Sequence, residues 1–481
     1  MKKQLSILTA GALVLASFSQ AQAMSVEWTG NYRFEYTQLS STTLGSPQKG
    51  KSYFLNSLQL SPKIIAADGM NVVAKFDVLT NSAYPDSQAG AVLGGGPTKG
   101  GTGGSSTADD AAVSSGHQGS TELRVSQLYM NVNQEYGAIV VGRAPMEFGL
   151  GITHNAGNGM FDHWSDTMDM VGYKFLIGNL SLMPIIGKPY NPSPNAGGEV
   201  TDVIWNIEYN NPETESIFGI FHQSRSAGLA SNDANPLTYG AGATKIGGWK
   251  TQSVNFLLGR GWDSFKFKLE AGFNSGDTGI QVSGQEVKLN GYGIVTEMNF
   301  PRPESKSQWS LKAGLVSGDD PDTTNFEGYA LDRNYDIAFL LFNHSMGQYD
   351  VFRSQFQRPS RQCGTAPCSP YERNEAIDDD AVSNVVFVSP TWDYKMSDRW
   401  SWRNSLTWAQ LQADPIAGGT VKGKDVGFEW DTAFVYNPHE RLTWVNQFGF
   451  LFPGSAWAGT EAQNFDKKFN YGFVSKAAIS F

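Results

Sequence analysis

Long apolar runs are missing from this 481-residue chain. Beyond the first two dozen residues, no segment approaches the eighteen or so consecutive apolar residues of a membrane-crossing helix. Cysteine is nearly missing as well. The two present, Cys363 and Cys368 in "RQCGTAPCSP", are too few to staple a fold and read as one small local disulfide. A metal pair is the alternative, but the nearest histidine, His344, is well separated from them. An excess of base is also lacking. Lys and Arg number 36 against 46 Asp and Glu, a net charge of −10, which argues against a nucleic-acid partner. With six histidines, catalytic constellations that need one are few.

The chain opens with "MKKQLSILTAGALVLASFSQAQA", in which two lysines precede a short apolar stretch that closes on Ala21-Gln22-Ala23. That is the layout of a cleaved signal peptide over 1–23, leaving residues 24–481 outside the cytoplasm. Removing Lys2 and Lys3 takes the 36 basic residues to 34 against an unchanged 46 acids.

What is abundant is alternation. In "SVEWTGNYRFEYTQ", Val26, Trp28, Tyr32, Phe34 and Tyr36 share one face, opposite Glu27, Asn31, Arg33 and Glu35. "DSFKFKLEAGFN" sets Phe265, Phe267, Leu269 and Phe273 against Lys266, Lys268 and Glu270. "DVGFEWDTAFVYNP" sets Phe428, Trp430, Phe434 and Tyr436 against Glu429 and Asp431. Period 2 over this length predicts strands of the roughly 9–11 residues that a tilted membrane strand needs. The links between them alternate between tight turns ("AADGM", "QEYG", "IGNL", "RGWD", "MSDR", "NPHE") and long segments, including 81–120, 274–286 and 318–381. The expected fold is all-β, a transmembrane antiparallel barrel of about eighteen strands, with short periplasmic turns and long extracellular loops. The 318–381 segment is expected to be a constricting or covering loop, with an extra hairpin as the alternative. "ELRVSQLYMNVNQ" changes register near Gln127, which a β-bulge explains.

If the aromatic faces meet lipid, the charged faces point inward. The expected lining is Arg33, Glu35, Lys75, Asp77, Arg124, Arg143, Glu147, Lys266, Lys268, Glu270, Lys312, Glu429 and Asp431. So many ions are not buried dry, and a barrel of this size leaves an aqueous channel, so a water-filled lumen of mixed sign is expected. No cofactor and no metal site are expected. The acid run at Asp319, Asp320 and Asp322 does not match a calcium loop.

The last strand, "KFNYGFVSKAAISF", places Phe469, Tyr471, Phe473, Ala477, Ile479 and Phe481 on one face. Together with the signal segment and long alternating strands, it resembles the bacterial outer-membrane porin superfamily. "VVGRAPMEFGLG" (140–151), "NSGD" (274–277) and "VSGD" (316–319) are similar to local motifs of the alginate-export type of eighteen-stranded barrel. Alginate exporters carry a strongly basic selectivity region, whereas Arg143 and Lys312 here are offset by acids. The resemblance implies an integral protein of the Gram-negative outer membrane, a non-enzymatic channel for passive diffusion of small hydrophilic solutes or ions. It also implies Phe481 as a signal to the barrel assembly machinery, and outer-membrane lipid with lipopolysaccharide as surroundings. A surface adhesin or receptor, or an outer-membrane enzyme on a plugged barrel, is the alternative, and the oligomeric state stays open.

Overall fold

A computed structural model describes residues 25–45, 50–78, 123–190, 200–227, 243–354, 381–416 and 421–481. The signal segment, the 81–120 link and both cysteines lie outside the described residues. The wall opens with β1 (Ser25–Leu39), β2 (Lys51–Ala67), β3 (Met70–Val78), β4 (Leu123–Gln134) and β5 (Gly137–Pro145). It continues through β6 (Thr167–Ile177), β7 (Leu180–Tyr190), β8 (Val200–Asn211) and β9 (Ser216–Ala227). The short β10 (Ala243–Lys245) and β11 (Lys250–Trp262) both pair with β12 (Phe265–Val282), so they are successive pieces of one wall strand. Then follow β13 (Gln285–Phe300), β14 (Ser307–Val316), β15 (Val385–Lys395), β16 (Trp400–Leu411), β17 (Asp425–His439), β18 (Leu442–Pro453) and β19 (Asn470–Ser480).

Every neighbouring pair is antiparallel, and β19 returns to pair with β1, closing an eighteen-strand barrel. At the seam, the Gly30 N–H donates to the Phe481 carbonyl (2.8 Å), and the Phe481 N–H donates to that of Gly30 (3.0 Å). A Cβ on Gly30 would stand 2.5 Å from the Phe481 ring, so only glycine lets this ring lie across β1.

The faces sort as the alternation requires. Trp28, Phe54, Trp205, Trp262, Trp309, Trp400, Trp430 and Trp444 are exposed on the outer face, and Trp400 stacks on Tyr436 at 4.4 Å between ring centroids. A wall clad in large apolar side chains, with every strand edge paired, is the form a sheet takes in a bilayer. The expected bulge is present: Lys75 pairs with Gln127 and Phe76 with Val125, leaving Ser126 as the extra residue.

Two expectations are corrected. Residues 274–286 are not a long link. β12 and β13 run on to a two-residue turn at Ser283 and Gly284, both with positive φ (51° and 84°), the geometry that matches hairpin twist. "NSGD" therefore lies inside β12, while "VSGD" does end β14. The described part of 318–381 supplies no additional wall strand; residues 319–354 fold into the barrel.

Candidate functional site

The 336–343 stretch, "DIAFLLFN", explains the inward fold. Its apolar residues are consecutive, so no strand pairing gives them one lipid face and one wet face. Inside the barrel, they are buried on all sides: Leu340 and Leu341 are 0 % exposed and Phe342 is 1 %. Their seat is the inner wall of β15–β19, with Phe387, Ala409, Leu451 and Val474, closed from above by Trp457. Two wall glycines make the room. A Cβ on Gly472 would stand 2.7 Å from Leu340 Cδ2, and one on Gly449 would stand 2.8 Å from Phe339 Cδ1.

The backbone of this segment needs acceptors, since a dry site offers no water. Two inward carboxylates of β17 provide them. Glu429 accepts from the Leu340 N–H at 2.6 Å and from the Leu341 N–H at 2.7 Å, one on each oxygen. Asp431 accepts from the Phe339 N–H at 3.2 Å. A second inward segment, 146–166 between β5 and β6, is tied in the same way, with the Leu150 N–H donating to Glu270 at 2.5 Å.

Where the two segments face β1, the contacts are polar. Arg33 lies 2.6 Å from Glu35, and its Nη1 donates to the Asp162 carbonyl at 2.5 Å. His163 Nε2 lies 2.7 Å from Glu35 Oε1. The Asn334 side chain clasps one segment to the other: its oxygen accepts from the His163 and Trp164 N–H groups (3.1 and 3.0 Å), and its Nδ2 donates to the Trp164 carbonyl (2.8 Å). The Arg333 guanidinium lies 4.1 Å from the Trp164 ring centroid. Between these groups lies a cavity of about 60 Å³, whose charged lining is Glu35, Asp162 and Asp336 against Arg333 and Lys476, with His163 and His344. Mixed charge around this small volume, inside an apolar-clad wall, suits water, ions and polar groups rather than apolar ones.

No protein-family model matches the sequence, and no curated protein matches it. Among solved structures, the chain is similar to OccK2 (OpdF) of Pseudomonas aeruginosa in complex with glucuronate, with 10 % identity and a TM-score of 0.49 over 95 % of this chain and 98 % of that one. It is similar to a BenF-like porin from Pseudomonas fluorescens Pf-5, with 11 % identity and a TM-score of 0.48 over 95 % and 99 %. The outer membrane protein OpdK of Pseudomonas aeruginosa gives 9 % and 0.47 over 95 % and 99 %. At such identities no site residue carries over, and the lumen is read from this chain's own contacts.

Of the expected lining, Arg33, Glu35, Lys75, Asp77, Arg124, Lys266, Lys268, Glu270, Lys312, Glu429 and Asp431 lie on the inner face. Two are ion-paired there, Lys312 with Glu297 at 3.3 Å and Lys266 with Glu215 at 2.6 Å, and Arg124 stands directly opposite Asp77 in the ladder. Glu270, Glu429 and Asp431 are covered by the inward segments and fasten them rather than meeting open space. Glu147 belongs to the 146–166 segment, not the wall, and accepts from Asn158 at 3.2 Å.

Arg143 is a correction: it is on the outer face. It stands directly across from Asp169 and from Leu128, which is exposed to the outside, while the neighbouring pair Ala144 and Met168 points inward and is buried. In "VVGRAP", apolar residues sit at both parities, so only the neighbouring strands fix the face. Asn334, Arg333 and Asp336 were not among the expected residues, because loops have no period to read. The Asp162-His163 pair was a visible local signal, but not its contact with Glu35.

Proposed function

We propose that this protein is an outer-membrane porin, a non-enzymatic channel for passive diffusion of small hydrophilic solutes or ions. Two inward segments narrow its lumen to the mixed-charge cavity beside β1 and β19. The observation that carries this reading is the contrast across one wall: aromatic and aliphatic side chains outside, charged side chains around a cavity of about 60 Å³ inside. In this reading, residues 1–23 are removed on export, short turns face the periplasm and long loops face outward. Phe481 presents the last strand to the assembly machinery, and lipid with lipopolysaccharide surrounds the wall.

The test is single-channel recording of the refolded protein in planar bilayers under a salt gradient. Steady openings with a small reversal potential are expected, because acids and bases nearly balance in the cavity. Silence from folded, inserted protein, persisting after deletion of 319–354, would sink the channel reading.

A further inference from the structure

The outer face of the barrel is not apolar throughout. Directly opposed residues of an antiparallel ladder share a face. On β5–β8 the outward row Val141, Val171, Ile186 and Val203, each directly opposite the next, is apolar. From β16 across the seam to β2 the outer face differs. Asn404 stands opposite Thr432, and Asn446 stands opposite Ser475. Asn56 follows on β2, opposite Phe34, which itself opposes Ala477 of β19. Their outward direction follows from Leu406, Trp430, Trp444 and Phe34, which share their parity and are exposed. All five polar residues lie well inside their strands, at the depth of acyl chains rather than headgroups.

The oxygens of these side chains are occupied. Trp402 and Trp430 donate through Nε1 to Thr432 (2.8 Å) and Asn404 (3.3 Å), and Trp444 donates to Ser475 (2.9 Å). Ser475 donates in turn to Asn446 (2.9 Å), and the Tyr32 hydroxyl donates to Asn56 (3.1 Å). The amide Nδ2 groups are left over. Among the described residues, those of Asn56, Asn404 and Asn446 have no acceptor, and that of Asn404 is fully covered. Acyl chains offer none, and lipid esters and phosphates lie out toward the rims. We infer that this face, centred on Asn446 and Ser475, is where a second copy of the chain docks. The inference rests on the porin reading for placing the wall in a bilayer. Each side-chain oxygen of the patch has a second lone pair, so the face carries both the unfilled donors and acceptors for them. Such a surface is complementary to itself and is satisfied by a copy related by a two-fold axis. Between two apolar walls, lipid is as good a neighbour as protein, so polar side chains and close approach decide where the walls meet. Ser475 and Ala477, successive outward residues of β19, are small and allow that approach.

The test reconstitutes the protein in lipid vesicles, with donor and acceptor dyes on the amino termini of separate batches. Energy transfer between copies is read as the protein-to-lipid ratio falls. The variant combines Asn446→Leu with Ser475→Ala; the control is His222→Leu, a polar residue of the outer face of β9, opposite Trp205. Heat-modifiable migration confirms that each is folded. The parent is expected to associate, and the double variant to do so on the order of tenfold more weakly, because a symmetric pair loses each hydrogen bond twice. The control should match the parent. If the double variant does not fold, Asn446→Leu alone is read in its place, with a weakening of about threefold expected. A parent that is monomeric at every ratio overturns the inference and leaves the face to a different protein. So does a variant that associates as tightly as the parent, or a control that loosens equally. Conductance is recorded separately: a silent barrel that associates through this face fails only the channel reading, and a conducting monomer fails only this one.

Discussion

Where residues 337–342 meet β15–β19, segment and wall share a dry apolar core. Where the same segment passes β1 and residues 146–166, the contacts are ionised, hydrogen-bonded and open to a cavity. The two attachments differ in strength for a simple reason. Each fully buried Leu or Phe of the seat contributes roughly 1.5–3 kcal/mol. A hydrogen bond of the polar side, exchanged against water, contributes about 0.5–1.5 kcal/mol net. The seat fixes the segment in place, while the polar side leaves room for a solute and sets which charges it meets.

The most damaging change attacks the seat. Glu429→Ala with Asp431→Asn leaves the N–H groups of Leu340 and Leu341 without acceptors and weakens that of Phe339, in a site without water, at roughly 1–3 kcal/mol for each orphaned group. The segment should leave the wall, and single-channel conductance should rise severalfold; a conductance equal to the parent's would refute the seat as the anchor. Gly472→Val acts on the same contact by overpacking, at about 1–3 kcal/mol, and should raise conductance less. A crystal structure of that variant with Leu340 still in place would count against it.

Changes on the cavity side should move selectivity and leave the seat intact. Lys476→Glu removes one of the two permanent cations of the lining and should shift the cation-to-anion permeability ratio on the order of twofold toward cations. An unchanged reversal potential would place the solute path elsewhere.

The smallest effect is a pH dependence of segment docking. Burial pushes the Asp319 carboxyl up to about 6, although the Glu327 N–H (3.0 Å) and the Ser354 hydroxyl donate to it. Burial, then the Asp166 carboxylate, holds Asp332 well above the usual carboxylate range. Both groups bind protons more tightly when docked, so their stabilisation is full below about pH 4 and is lost as the pH rises through about 6 and beyond. Amide protection over 327–335, taken relative to the intrinsic base-catalysed exchange at each pH, should therefore fall between about pH 4 and pH 7, and Asp319→Asn should flatten part of that fall. A profile that is flat in the parent would remove these carboxyls from the docking equilibrium.

Much of the wall was legible because a barrel strand obeys one rule along its length. Period 2 marked the strands, tight turns marked one rim, and the parity change at Gln127 marked a real bulge at Ser126. The unbroken apolar run at 337–342 signalled that this stretch is not a wall strand, though not which wall would receive it. That depends on Gly449 and Gly472, more than a hundred residues later. Arg143 was misplaced because its strand has no apolar parity of its own. The clasp by Asn334 was invisible because it joins two loops, and nothing in either sequence names the other.

The seam between β1 and β19 has a consequence in time. Every other junction in the wall joins strands adjacent in sequence and can zip from its turn, whereas this one must find its partner across nearly the whole chain, as in Tyr32 with Ile479. The thermodynamic handicap is mild, because loop closure grows with the logarithm of length and adds roughly 3 kcal/mol over a hairpin-sized loop. The kinetic exposure is not mild. Until the nine residue pairs of the seam form, a sheet with all its other strands in place still presents two bare edges, each ready to pair with a stranger. Closure abolishes both at once, so nascent barrels are most vulnerable at the moment when they are almost complete.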